Sequence, residues 1–274
     1  MLFRTPQIGR LTSALLLAAA VALPVGAAAE AVRAGGTGSA LKTLQVAGEA
    51  FAREGGAPVA VVRNLGSGGA LKALRAGAID VAVVAYPPTG AEAIGLRVIE
   101  YARTPFVFAV GTAPVERISL RQLVDLYSGK TARWPDGEPV RLVLRAAFDT
   151  DTAVMRAMAP ALSDALDRAL KRPGMVVAYS DQEAADRIAT LPGGIGPTTL
   201  ALIRSEGRPL KPLELDGVAP TLEALADGRY RHAKSYHAVV LANAPEAATR
   251  FVAFLRSPAA RPLLEEFGQQ QVAD

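Results

Sequence analysis

The chain has 274 residues, half of them hydrophobic, with no cysteine, two histidines and a formal net charge of +4. The absence of cysteine excludes disulfide stapling and thiolate chemistry, and so small a charge argues against a nucleic-acid partner. His232 and His237 have no cysteine or acidic companion at ligand spacing, so they read as surface or hinge decoration, and neither a metal nor a cofactor is expected.

Residues 1–29 come first in chain order. Arg4 and Arg10 supply a basic start, residues 11–23 an apolar run, and Ala27-Ala28-Ala29 a small-residue cleavage site. This is the layout of a secretory signal peptide. Cleavage predicts a soluble periplasmic protein exported by a Sec-type route, without lipid attachment because no cysteine follows the apolar run. No later stretch reaches the roughly 18 unbroken apolar residues of a membrane span.

Short β-type runs then alternate with helical patterns. Residues 31–34 read as a strand, 39–54 as a helix, 58–62 as a strand, 70–76 as a short helix, and 79–85 as an apolar strand buried on both faces. This order predicts a parallel sheet wrapped by helices. A further buried strand is expected at 106–110, followed by a helix at 119–127 with Ser119 as N-cap and Gly129 as its stop. Next come a strand at 140–144, a helix at 152–169, a strand at 175–179 and a helix at 182–190. Residues 192–197 read as a tight turn. A short helix at 222–226, a strand at 238–241 and helices at 244–256 and 259–267 complete the chain. The expected organisation is two α/β lobes: residues 30–104 plus 233–274 in lobe 1, and 105–232 in lobe 2.

The chemistry concentrates between strands and helices. Gly35-Gly36-Thr37-Gly38-Ser39, Gly66-Ser67-Gly68-Gly69 and Arg145 with Phe148-Asp149-Thr150-Asp151-Thr152 each follow a strand and open a helix. Unpaired N–H groups and the helix dipole favour an anion there. Ser39, Ser67 and Thr150 also serve as ordinary N-caps, and taken singly that role suffices. Residues 36–43 are not a P-loop, because Leu41 stands where glycine must precede Lys42. Gly66-Ser67-Gly68 is not a nucleophile elbow, because Leu65 replaces its first glycine. No catalytic residue can be assembled, and the chain reads as a binding protein rather than an enzyme. Tyr86, Tyr179 and Trp134 are possible cleft aromatics, with Tyr86 favoured and Trp134 expected in a core.

In chain order, these segments resemble the phosphate-binding subunits of bacterial phosphate ABC transporters, among the type II periplasmic binding proteins. The resemblance rests on Gly36-Thr37-Gly38-Ser39, on Gly66-Ser67-Gly68-Gly69 with Lys72 and Ala76-Gly77-Ala78-Ile79-Asp80, and on Leu126-Tyr127-Ser128-Gly129-Lys130 before Trp134. It continues in Gly194-Ile195-Gly196, Leu215-Asp216-Gly217-Val218-Ala219-Pro220-Thr221 and Asp227-Gly228-Arg229-Tyr230. It implies a two-lobed fold, each lobe a mostly parallel sheet flanked by helices, with a small oxyanion held in the cleft between them. It also implies a monomer that delivers phosphate or a phosphate-like ligand to the membrane permease of an ABC importer. A related module serving a membrane receptor, with altered or no ligand binding, is the alternative. Carried over by position, the ligand contacts are Thr37, Gly38, Ser39 and Ala40 from the first loop, Ser67 and Gly68 from the second, Tyr86, and Arg145 with Asp149, Thr150 and Asp151.

Two departures from the family pattern stand out. Ala85 replaces an acceptor Asp, and Asp149 and Asp151 replace the Ser and Thr of an Arg-x-x-x-Ser-Gly-Thr stretch. Carboxylates beside a desolvated dianion cost several kcal/mol. Asp149 could take over the lost acceptor role, the ligand could carry a cationic group, the pocket could be vestigial, or one aspartate could simply cap the next helix.

Overall fold

The computed structural model describes residues 30–272, so the signal-peptide reading of residues 1–29 lies outside the described residues. No helix among the described residues is long and apolar enough to cross a membrane.

Strand β1 (Val32–Gly36) leads through a 3-10 turn (Gly38–Ala40) into α1 (Leu41–Arg53), and β2 (Val59–Val62), α2 (Gly66–Arg75) and β3 (Val81–Val84) follow. The pairs β1–β2 and β1–β3 are parallel. Helices cover this part of the sheet on both faces, and every residue of β3 is buried, as its unbroken apolar run demands.

Strand β4 (Leu96–Val110) is the longest of the described strands and lies between β11 and β8 in the main sheet. Its first part, which the sequence reading missed, pairs antiparallel with β11 (Ala233–Leu241), and Phe106–Val110 pairs with β8 (Gly194–Thr199). Between them lie β5 (Arg117–Ile118), α3 (Leu120–Ser128), β6 (Arg141–Arg145), α4 (Thr150–Met158), α5 (Pro160–Lys171), β7 (Val176–Ala178) and α6 (Asp181–Thr190). After β8 come α7 (Leu200–Glu206), β9 (Lys211–Pro212), β10 (Glu214–Leu215) and α8 (Leu222–Ala226). The chain ends in α9 (Glu246–Leu255), α10 (Arg261–Glu266) and β12 (Gln270–Gln271). The main sheet runs β2-β1-β3-β11-β4-β8-β6-β7. Where β4 changes partner, the Phe106 N–H donates to the His232 carbonyl at 2.9 Å.

Local chemistry explains both the agreements and the corrections. Ser119 and Gln122 form a capping box on α3, and Gly129 ends that helix at φ 82°. The helix expected over 152–169 is two helices, because Ala159 precedes Pro160 and takes an extended conformation. The expected turn at 192–197 is mostly strand β8, buried throughout. Its glycines mark close packing rather than a loop, since a Cβ on Gly196 would stand 2.7 Å from the Val143 carbonyl oxygen. Pro197 falls beyond the two residues that pair with β6, where a missing ladder donor is tolerated. Helix α7, absent from the sequence reading, packs against α1, the 3-10 turn and β4. Trp134 is in a core as expected, its Nε1–H donating to the Gly193 carbonyl at 3.0 Å. His237 is buried within β11 rather than on the surface, and burial lowers its pKa.

Candidate functional site

A cavity of about 550 Å³ opens where the first turns of α2, α4 and α6 meet the loop after β1. Its walls include Gly36, Thr37 and Gly38 from the β1 loop, residues 64–69 with Lys72 from the start of α2, and Tyr86. Facing them are Arg145, Phe148, Asp149 and Thr150 after β6, and residues 179–183 after β7.

Backbone packing dictates the first loop. A Cβ on Gly36 would lie 1.8 Å from the Val83 carbonyl oxygen, so only glycine lets β1 pass β3 here. The Thr37 N–H then donates to that same carbonyl at 2.9 Å, anchoring the loop. Gly66 has φ 63°, and α2 starts directly on the glycine-serine run rather than after it. The Ser67 hydroxyl accepts the Ala85 N–H at 3.1 Å, tying α2 to the end of β3.

Strand β6 delivers Arg145 into the centre, only 3% exposed. Asp149 caps α4, accepting the Asp151 N–H at 2.8 Å, and its other oxygen accepts from Arg145 Nη2 at 2.5 Å. Thr150 therefore does not cap this helix; Asp149 does. Asp151 lies beneath the guanidinium, 3.8 Å from Arg145 Nε, and accepts from Lys234 Nζ at 2.6 Å. Asp181, the first residue of α6, completes the group. Its Oδ1 is 3.5 Å from Arg145 Nη2 and 3.6 Å from Lys234 Nζ, while its Oδ2 accepts the Ser39 N–H at 2.9 Å and the Thr37 hydroxyl at 3.3 Å.

Three carboxylates thus face two cations, all of them largely shielded from solvent. Burial works to lower the Arg145 and Lys234 pKa values, but the carboxylates outweigh it and both are raised, so both stay charged. Burial pushes Asp151 up to about 6, helped by Asp181 and Asp149 and opposed by Lys234 and Arg145. Burial also works to raise Asp181, yet Lys234, Arg145, the Ser39 N–H and the Thr37 hydroxyl hold it below its ordinary value. The carboxylates form no group that could hold a metal ion.

Of the residues expected to contact ligand, Thr37, Gly38, Ser67, Gly68, Tyr86, Arg145, Asp149 and Thr150 stand in the cavity wall. Ser39, Ala40 and Asp151 do not. The Ser39 N–H is taken by Asp181, and the Ala40 N–H turns back to the Thr37 carbonyl at 3.1 Å to close the 3-10 turn. Asp151 is sealed under Arg145. Tyr86 bonds Glu92 through its hydroxyl at 2.9 Å, and Tyr179 and Phe148 flank the cavity largely exposed, at 69% and 85%.

The sequence reading missed Asp181 and Lys234. Asp181 had a legible signal, because Tyr179-Ser180-Asp181-Gln182 is a further strand-to-helix junction. Lys234 had none, since a lysine before an apolar run reads as solvent-facing.

A family model described as a PBP superfamily domain matches residues 23–259. The chain belongs to the PBP superfamily. No curated protein matches it. Among solved structures, a Clostridium perfringens protein with bound phosphate is 18% identical with a TM-score of 0.75, covering 89% of this chain and 100% of that one. An ABC-type phosphate transport receptor from Vibrio cholerae is 20% identical with a TM-score of 0.62, over 87% of this chain and 99% of that one. The periplasmic molybdate-binding protein of Azotobacter vinelandii is 16% identical with a TM-score of 0.59, over 89% and 99%. At these identities the likeness establishes the fold alone, the two-lobed architecture of a PBP-superfamily member.

Proposed function

We propose that this PBP-superfamily chain is a periplasmic solute-binding protein that captures a small oxyanion, phosphate or phosphate-like, and delivers it to the permease of an ABC-type importer. It acts as a monomer and performs no chemistry on the ligand. One observation carries the reading: Arg145, buried at the cavity wall, has Nη1 without a hydrogen-bond partner among the described residues, while its Nε faces Asp151 away from the cavity. A buried donor left unmade costs about 1–3 kcal/mol, and an oxyanion is the acceptor that recovers it. The α2 N–H groups, the Ser67 hydroxyl and Lys72 line the same cavity from the opposite lobe. A solved neighbour with bound phosphate and another that is a molybdate-binding protein support the ligand class.

We place lobe 1 at residues 30–104 plus 233–274 and lobe 2 at 105–232. The partner change of β4 between Pro105 and Phe106, opposite Ala233, supports these limits. Closure would turn about the paired crossings at Phe106 and His232, expelling water and strengthening every contact to the bound charge.

A second reading, a sensing or protein-interaction module with altered or no ligand binding, is favoured by the three carboxylates around Arg145. Thermal shift of the mature protein against phosphate, phosphonates, sulfate, molybdate and amino acids separates the two. An oxyanion at a hundred times its dissociation constant stabilises by about 2.7 kcal/mol and raises the melting point by roughly 5–10 °C. Arg145→Lys keeps the buried charge but loses the fork, and should lose that shift. A panel in which nothing shifts the protein overturns the transport reading in favour of the second.

A further inference from the structure

We propose that Asp181 is a built-in ligand: its carboxylate occupies the oxyanion seat of the cleft, so a solute must displace it to bind. The inference rests on the oxyanion reading for what does the displacing, but the occupancy of the seat stands on geometry alone. The two oxygens divide the work that a bound anion would demand. Oδ2 takes the Ser39 N–H and the Thr37 hydroxyl from the glycine loop of one lobe, and Oδ1 faces Arg145 Nη2 and Lys234 Nζ at 3.5 and 3.6 Å. Asp181 is 8% exposed, so these interactions are not screened by water.

The fit is made on both sides. A Cβ on Gly38 would meet Asp181 Oδ2 at 2.8 Å and Gln182 Oε1 at 2.5 Å, so the missing side chain is what lets α6 dock. Gln182 Nε2 donates to the Gly38 carbonyl at 3.0 Å, a second bond across the same contact. With Asp149 and Asp151 already beside Arg145, a dianion entering while Asp181 stays would add its charge to three carboxylates. Like charges at such close range repel strongly where burial keeps the effective dielectric constant well below that of water. Entry therefore requires the α6 carboxylate to leave Thr37 and Ser39. The apparent affinity for a free anion falls by the fraction of molecules in which the seat is vacant. Asp181 is in this sense a specificity-determining residue.

Two measurements test this, on the mature wild type and on Asp181→Ala and Asp181→Asn. Hydrogen exchange read on the peptide spanning residues 37–41, without ligand, reports the Ser39 amide directly. It should be protected in the wild type, exposed in Asp181→Ala and protected again when inorganic phosphate is added. Titration calorimetry with phosphate should show the alanine variant binding on the order of a hundredfold tighter than the wild type. Asp181→Asn, which keeps the size and loses the charge, should fall between them and covers the case in which the alanine variant does not fold. Equal exchange at residues 37–41 in wild type and variants overturns the proposal, as does phosphate binding that is no tighter in either variant while the wild type binds. If no protein binds phosphate but protection is confined to the wild type, Asp181 does hold the seat and the oxyanion reading of the function falls instead.

Discussion

Lys234 Nζ lies 2.6 Å from Asp151 Oδ1, and neither side chain reaches solvent. The pair links the start of β11, next to the proposed hinge at Phe106 and His232, to the first turn of α4. It therefore ties the hinge to the segment that carries Arg145 and Asp149. Removing one partner of a buried pair strands the other charge, which typically costs about 3–5 kcal/mol, whereas removing both with apolar replacements is often close to neutral.

Lys234→Met is accordingly expected to lower unfolding stability by about 3–5 kcal/mol in urea denaturation. Lys234→Met combined with Asp151→Leu should recover more than half of that loss. A double variant no better than the single one would show that Asp181, rather than Asp151, depends on the lysine.

Asp151 also sets a pH dependence. Its folded-state pKa of about 6 stands above its ordinary 3.8, so the folded chain binds this proton before the unfolded chain does as pH falls. Between about pH 6 and pH 4 the wild type should gain stability relative to Asp151→Asn, which cannot titrate there. Asp181 works the other way: its lowered pKa contributes stability above 3.8 that is lost as pH falls below it. Urea midpoints of wild type and Asp151→Asn, measured above and within that window, check the sign. A constant difference between the two would contradict it.

The two glycine loops should respond oppositely to alanine. Gly36→Ala drives a methyl group into the Val83 carbonyl and is expected to prevent folding or cost more than about 3 kcal/mol. Gly68→Ala meets nothing within 4 Å inside α2 and should stabilise by about 0.5–1 kcal/mol. Thermal melts of the two variants make the comparison.

Trp134→Phe keeps most of the buried ring but loses the bond from Nε1 to Gly193. A cost of about 0.5–1.5 kcal/mol is expected from the lost bond, because the Gly193 carbonyl still accepts the Arg141 N–H at 3.0 Å, with anion binding unchanged because Trp134 stands outside the cavity wall. A change in ligand affinity in that variant would show that the packing of lobe 2 is coupled to the cleft.

Much of the architecture was legible because it follows from local chemistry. The all-apolar run of β3 predicts a strand covered on both faces. Ser119, Gln122 and Gly129 define α3 by capping and a left-handed stop. The glycine, serine and arginine junctions converge as their position after parallel strands predicts. Where local signals mislead, a tertiary contact is responsible: Gly194-Ile195-Gly196-Pro197 looks like a turn until the Val143 carbonyl is seen to leave no room for a side chain at Gly196. The early parts of β4 and β11 carry charged residues that masked them, although the two strands pair with each other along their length.

The sequence by itself determined the α/β class, the helix starts gathered at one cleft and the arginine at its centre, because strand order and capping act over a few neighbouring residues. Only the tertiary structure decided what surrounds that arginine. Asp181 and Lys234 lie 36 and 89 positions beyond Arg145 in the numbering, and no local pattern reports a charge compensated by residues so distant. Burying an ion is tolerable only beside its partners, so folding brought these five groups together and filled an expected anion seat with the chain's own carboxylate.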